Sequence, residues 1–202
     1  SISVLGSFSD RKFGANRFYG NDSDFFANQY EEIQTSLMNI GHQKSSANFT
    51  IKTRLNWRRN QDEYFLIRED PDYYRNLHTS QVVSLESHGD YYSKWGATGI
   101  GGSLSKVSLN SNNLGNRSRQ ISSLFLEHRA YFLNKKLDIT PGVALSHYSD
   151  FGSHFFPGID VGYTLKSGIK LFTNMGYTWR IPTYTDLYYV GAANIGNENL
   201  IP

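Results

Sequence analysis

The sequence predicts an all-β chain, an antiparallel meander of about nine strands, and three observations carry that reading. Apolar and polar residues alternate with period two over stretches of ten to twelve residues. Aromatic residues make up 15% of the chain, with 14 Tyr, 13 Phe and 3 Trp beside 18 Gly, a mixture that suits strands better than helices. The connecting segments are short at one set of strand ends and mostly long at the other, as they are in an outer-membrane barrel and need not be in a sandwich.

Taken in order, strands are expected near 2–8 and 31–40. Between 49 and 57, Phe49, Ile51, Thr53, Leu55 and Trp57 alternate with Thr50, Lys52, Arg54 and Asn56. Shorter candidates follow near 81–88 and 95–106. The stretch 121–132 is expected to pair with 137–147, and two loop lengths would close that hairpin. A four-residue loop, Leu133-Asn134-Lys135-Lys136, sets Leu124, Leu126, Ala130 and Phe132 beside Leu137, Ile139, Val143 and Leu145; a three-residue loop would set Glu127 and Arg129 there. The four-residue loop is preferred because it keeps one face apolar. Between 155 and 165 the alternation is cleanest, and after Lys166-Ser167-Gly168 it resumes from 169 to 181. A three-residue loop pairs Leu165 with Ile169 and Val161 with Thr173, so both apolar sets share a face.

Short connections fall near 41–48, 89–94, 133–136 and 166–168, and longer ones near 9–29, 59–80, 107–118, 149–154 and 182–202. Strands of this length match the ~9–11 residues a tilted strand needs to cross a bilayer. The second face holds Lys52, Arg54, Arg58, Asp138, Asp160, Lys170 and Arg180, as a lumen would. Trp57, Tyr163, Tyr177 and Trp179 near the ends of the apolar face suit interfacial girdles.

Several classes are excluded. A net charge of +2 makes no electrostatic case for nucleic acid. The absence of cysteine excludes disulfides, thiolate metal sites and a cysteine nucleophile. No apolar run approaches the ~18 residues of a membrane helix, and the mean hydropathy is −0.49. Ser1-Ile2-Ser3 carries no signal-peptide features, so any such leader is expected to have been removed or to lie outside this chain. Enzyme signatures are lacking. Gly99-Ile100-Gly101-Gly102-Ser103-Leu104 has Leu where a dinucleotide loop needs its last glycine, and reads as a strand that lets backbone approach. The six histidines show no metal spacing, and no serine sits in a nucleophile elbow. Asp62, Glu63, Glu69, Asp70 and Asp72 form an acidic loop, and Asp22 and Asp24 lie in another; Ca²⁺ shared between them is the one cofactor considered, against a solvated acidic surface as the default.

The C-terminal segment carries a family resemblance. Arg180-Ile181-Pro182-Thr183-Tyr184-Thr185-Asp186-Leu187-Tyr188-Tyr189, followed by Gly196-Asn197-Glu198-Asn199-Leu200-Ile201-Pro202, resembles the barrel signature of TonB-dependent outer-membrane receptors. Phe13 to Tyr19, Ser111 to Arg117 and Pro157 to Asp160 resemble the branch labelled vitamin B12 transporter-like. The resemblance implies a 22-stranded barrel around a plug that contacts TonB. On that basis residues 1–202 are expected to be an internal part of a large transmembrane β-barrel domain, without plug, signal peptide or barrel C-terminus. Membrane lipid and, through the plug, TonB are the implied partners. The implied function is uptake across the Gram-negative outer membrane of a scarce, bulky ligand, cobalamin first and an iron chelate next. Contacts are expected from the loops: Tyr64, Tyr73, Tyr74, Asn76 and His78, then Phe18, Tyr19, Tyr184 and Tyr189. Arg180 and Asp186 are expected to brace the strand-to-loop junction. The competing reading is a soluble all-β glycan-binding or adhesion module, which predicts two packed sheets.

Overall fold

The computed structural model describes residues 1–16, 28–191 and 194–202. Its strands are β1 (Ile2–Gly14), β2 (Tyr30–Ser45), β3 (Phe49–Phe65), β4 (Arg75–Ser93), β5 (Gly96–Ser111), β6 (Gly115–Phe132), β7 (Leu137–Tyr148), β8 (Gly152–Thr164) and β9 (Lys170–Gly176), followed by one helical turn, α1 (Tyr184–Tyr188). Each strand is antiparallel to the next in a single nine-stranded sheet that is not closed. One layer replaces the two packed sheets a soluble sandwich requires.

The pairing follows the hydrophobic pattern. Leu165 N–H donates to Ile169 O at 2.8 Å and Val161 faces Thr173, as the three-residue loop requires. Phe132 faces Leu137 across the four-residue turn. Rows of apolar side chains therefore run across the sheet on one face, such as Ile40, Leu55, Leu85 and Leu104, and then Leu124, Leu145 and Phe155. These side chains are exposed, Leu104 by 60% and Leu124 by 65%. Only Ala15, Leu114 and Leu187 are buried apolar residues among those described, so the sheet has no core of its own and its apolar face is left uncovered.

Three expectations need correction. Most strands run well past the apolar alternation, β4 to 19 residues; at ~3.4 Å per residue and ~45° tilt that is about 45 Å, against an apolar band of ~25 Å. Above the band both faces meet water, and the two-tone pattern that marks a strand disappears. For the same reason two connections expected to be long are tight turns, 112–114 and 149–151. In the opposite sense, β9 stops at Gly176 rather than 181, and the Trp179 ring turns to stack on His154 at 4.4 Å, instead of joining a girdle on the apolar face.

The Gly-rich part of β5 behaves as expected. A Cβ on Gly101 would lie 2.4 Å from the Phe125 ring, which fills the gap beside His88. Gly96 opens β5 at φ +138°, with a Cβ position 2.0 Å from Arg129 O. Gly96→Ala is expected to destabilise the barrel by about 1–3 kcal/mol, measured as a lower unfolding midpoint in detergent.

Candidate functional site

The strand ends carrying the connections 15–29, 66–74 and the segment after β9 form one side of the sheet, and there the second face gathers a cluster of phenols. Tyr64, one residue short of the end of β3, donates to Gln29 Oε1 at 2.8 Å. Gln29 is almost fully buried, its N–H held by Asn16 Oδ1 and its carbonyl accepting from Ala15 N–H. Asn76, the cross-strand partner of Tyr64, donates to the Tyr74 hydroxyl at 3.2 Å. Tyr189, more than a hundred residues on, lies near enough to Tyr74 for the two phenols to perturb each other.

Burial dominates the electrostatics of this wall. It pushes the Tyr64 phenol up to about 12, with Tyr74, Glu31 and Tyr189 adding to the rise. Burial and the neighbouring Tyr74 phenol likewise raise Tyr189. One rung away, Asp62 faces His78; burial raises the carboxyl and lowers the imidazole, so both are drawn towards their neutral forms. His78 Nδ1 is 2.7 Å from Ser111 Oγ. The surface is rich in aromatic area and hydroxyl groups and poor in net charge, and it suits a large ligand with many hydrogen-bonding atoms.

The segment after β9 is latched to this wall by residues of β6 and the β5–β6 turn. Arg117 lies over the Tyr188 ring, 3.5 Å from its centroid, and donates from Nε to Leu114 O. Arg119 donates from Nε to both Asp150 oxygens, at 3.0 and 2.7 Å, and from Nη2 to Pro182 O at 3.1 Å, while its guanidinium faces the Phe151 and Tyr184 rings. Asn113 Nδ2 donates to Val190 O at 2.9 Å. Within the segment, Thr183 caps α1 in a capping box with Asp186, whose carboxylate accepts from Thr183 N–H and from Arg180 Nη2 at 3.1 Å. The Thr183 backbone, its hydroxyl and Arg180 hold the Asp186 carboxyl below its usual range. Arg180 and Asp186 thus brace the junction. Beneath α1, Leu187 is buried and the Tyr184 hydroxyl is buried without a hydrogen-bond partner.

Of the expected contact residues, Tyr64, Tyr74, Asn76 and Tyr189 come together and His78 lies beside them. Tyr73 stands more than half exposed in the 66–74 connection. Tyr184 sits apart, against Arg119. Phe18 and Tyr19 fall outside the described residues, as do Asp22 and Asp24 of the acidic pair. Among the described residues no three His, Asp or Glu side chains are grouped to hold a metal ion, and Glu63 is ion-paired with Arg75. Gln29, Asn113, Arg117 and Arg119 went unrecognised as site-forming residues. Asn113 and Arg117 lie in a segment already marked by family resemblance, and their partners lie in another.

No curated protein matches the chain. Ten solved chains do, among them the siderophore receptor PirA from Pseudomonas aeruginosa, at 15% identity and a TM-score of 0.78, with 99% of this chain and 37% of that one covered. That likeness shows the fold, over just over a third of the matched receptor chain's length. Residues 3–202 match the family described as TonB dependent receptor-like, beta-barrel. The open antiparallel sheet, its lipid-suited face and the match over nearly all its length agree, and the chain belongs to the TonB-dependent receptor β-barrel family of the Gram-negative outer membrane.

Proposed function

We propose that this chain forms part of the wall and the outer mouth of a receptor that captures a bulky metal chelate, a corrinoid such as cobalamin or a ferric siderophore, and passes it inward when TonB acts on the plug. The carrying observation is the convergence of Tyr64, Tyr74, Asn76 and Tyr189 from three separate parts of the chain onto one weakly charged wall at the outer end of the polar face. The receptor does no chemistry on the ligand; it needs area, hydroxyl groups and access from outside. The resemblance of three segments to B12 transporters supports a corrinoid, and the likeness to a siderophore receptor supports an iron chelate.

Titrating the full-length receptor with cyanocobalamin and with a panel of ferric siderophores separates the two. Tyr73→Ala is the cleanest loop variant because that side chain is largely exposed. Loss of its ring is expected to weaken binding of the cognate chelate on the order of tenfold, the equivalent of about 1.4 kcal/mol of aromatic contact. Tyr74→Ala should weaken it further, since it also breaks the bond from Asn76 and removes the phenol beside Tyr189. Unchanged affinity in both variants would remove the loop wall from ligand recognition.

A further inference from the structure

Halfway along β7 the polar face carries a row of glycines. Gly99, Glu127, Gly142, Gly158 and Gly176 stand side by side in the register of β5 to β9, so Glu127 is the one side chain at that level across five strands. Gly99 is explained locally, because a Cβ there would lie 3.0 Å from Glu127 Oε1. The other three are not. None of them has a positive φ, and a Cβ on Gly142, Gly158 or Gly176 would meet nothing closer than 3.4, 3.5 and 3.5 Å, which are ordinary contact distances. Glycine inside a strand weakens it, and marks a place where something approaches the backbone closely. The bare strip is the floor of a recess of about 530 Å³. Phe125, Ala144 and Phe156 form the next row outward, and Asp160 and Asn174 lie in the next row inward. The charge here is one-sided. Glu127 and Asp160 are exposed and neither is ion-paired among the described residues, whereas Asp138, further inward on the same face, holds both Arg129 and Lys170.

We infer that this recess seats a basic segment of the receptor's own polypeptide from outside residues 1–202. Its backbone lies against the glycine strip, its lysine or arginine side chains pair with Glu127 and Asp160, and their stems run along Phe125 and Phe156. Three features select that occupant. The two carboxylates have no cation of the wall to themselves, so they favour a basic partner and disfavour an anionic chelate. From β7 to β9 the strip is ~10 Å wide at ~4.8 Å per strand, room for one extended chain or one helix of ~10–12 Å diameter. It also stands midway between the two ends of β7 rather than at either mouth, which places it inside the closed barrel, and the greater part of such a receptor's polypeptide lies outside these 202 residues. The seat depends on the barrel fold and not on the chelate, so the titrations above stand or fall by themselves.

The test is photo-cross-linking in the full-length receptor, with p-azidophenylalanine in place of Phe156. The expected product joins position 156 to a peptide of the same receptor molecule, outside residues 1–202, with a lysine or arginine within a few residues of the linked position. The Glu127→Gln, Asp160→Asn double variant should lower the yield of that product roughly threefold or more. Gly158→Leu, which fills the floor and leaves both carboxylates in place, should lower it as well, with heat-modifiable migration confirming that each variant is folded. An unchanged yield in either variant would overturn the inference. So would the lack of any product, a product confined to residues 1–202, or one joined to another protein or to bound chelate.

Discussion

Leu126→Arg is expected to cost the barrel roughly 2–4 kcal/mol and to reduce the fraction of full-length receptor that reaches the outer membrane in its heat-modifiable, folded form. Leu126 lies in the apolar row Ile100, Leu126, Val143 and Pro157 and is about half exposed. It stands six residues from Phe132, the last residue of β6 before the inner turn, which at ~3.4 Å per residue and ~45° tilt is about 14 Å along the membrane normal, near the midplane. A guanidinium there cannot reach either headgroup region without distorting the bilayer. Val161 is the instructive control: it shares the apolar face, facing Ile139 and Thr173, but lies only three residues from the end of β8. Val161→Arg can extend towards the inner interface, and its cost should fall towards ~0–1 kcal/mol. Equal penalties would mean that the depth assignment fails; no penalty in either would mean that the apolar face is not the lipid face.

The lipid band of the sheet was legible because one physical contrast, lipid on one face and a polar interior on the other, writes period two into the sequence. Leu165 opposite Ile169 and Phe132 opposite Leu137 follow from that contrast alone. Where the contrast ends, so does the legibility. The outer half of β4 reads as Arg75-Asn76-Leu77-His78-Thr79-Ser80, with water on both sides and no apolar stripe to mark it, and the tight turn at 112–114 was hidden inside what looked like a loop. The site divides similarly. Tyr64, Tyr74 and Asn76 could be picked out because aromatic and amide residues in outer connections are what a ligand wall needs. Arg119 could not be, because an arginine among Ser118, Gln120 and Arg117 in β6 looks like any solvated strand residue until the chain after β9 folds back upon it.

That fold-back sets up the last expectation. The Arg119 side chain is only 11% exposed, its Nε engaged by both Asp150 oxygens and its Nη2 by Pro182 O, with the Phe151 and Tyr184 rings facing the guanidinium. Removing it strands Asp150 without its counter-charge. A fully buried pair broken in this way costs ~3–5 kcal/mol, and because Asp150 is 34% exposed, solvent screening brings the figure down to about 2 kcal/mol. The larger consequence is positional. Tyr189 reaches Tyr74 only because 182–190 is held down at Pro182, Tyr184, Tyr188 and Val190, and Arg119 supplies two of those four holds. Arg119→Ala is therefore expected to make 182–202 a preferred site of limited proteolysis in the folded receptor and to weaken chelate binding at least as much as Tyr74→Ala, although Arg119 itself lies outside the Tyr64, Tyr74 and Tyr189 cluster. Arg119→Lys keeps the charge on Asp150 but cannot reproduce the planar fork; it should recover most of the stability and little of the binding. If Arg119→Lys restores both equally, the residue acts through its charge alone. If Arg119→Ala is cleaved no faster than the unaltered receptor, the latch is carried by Arg117, Asn113 and the buried Leu187 without it.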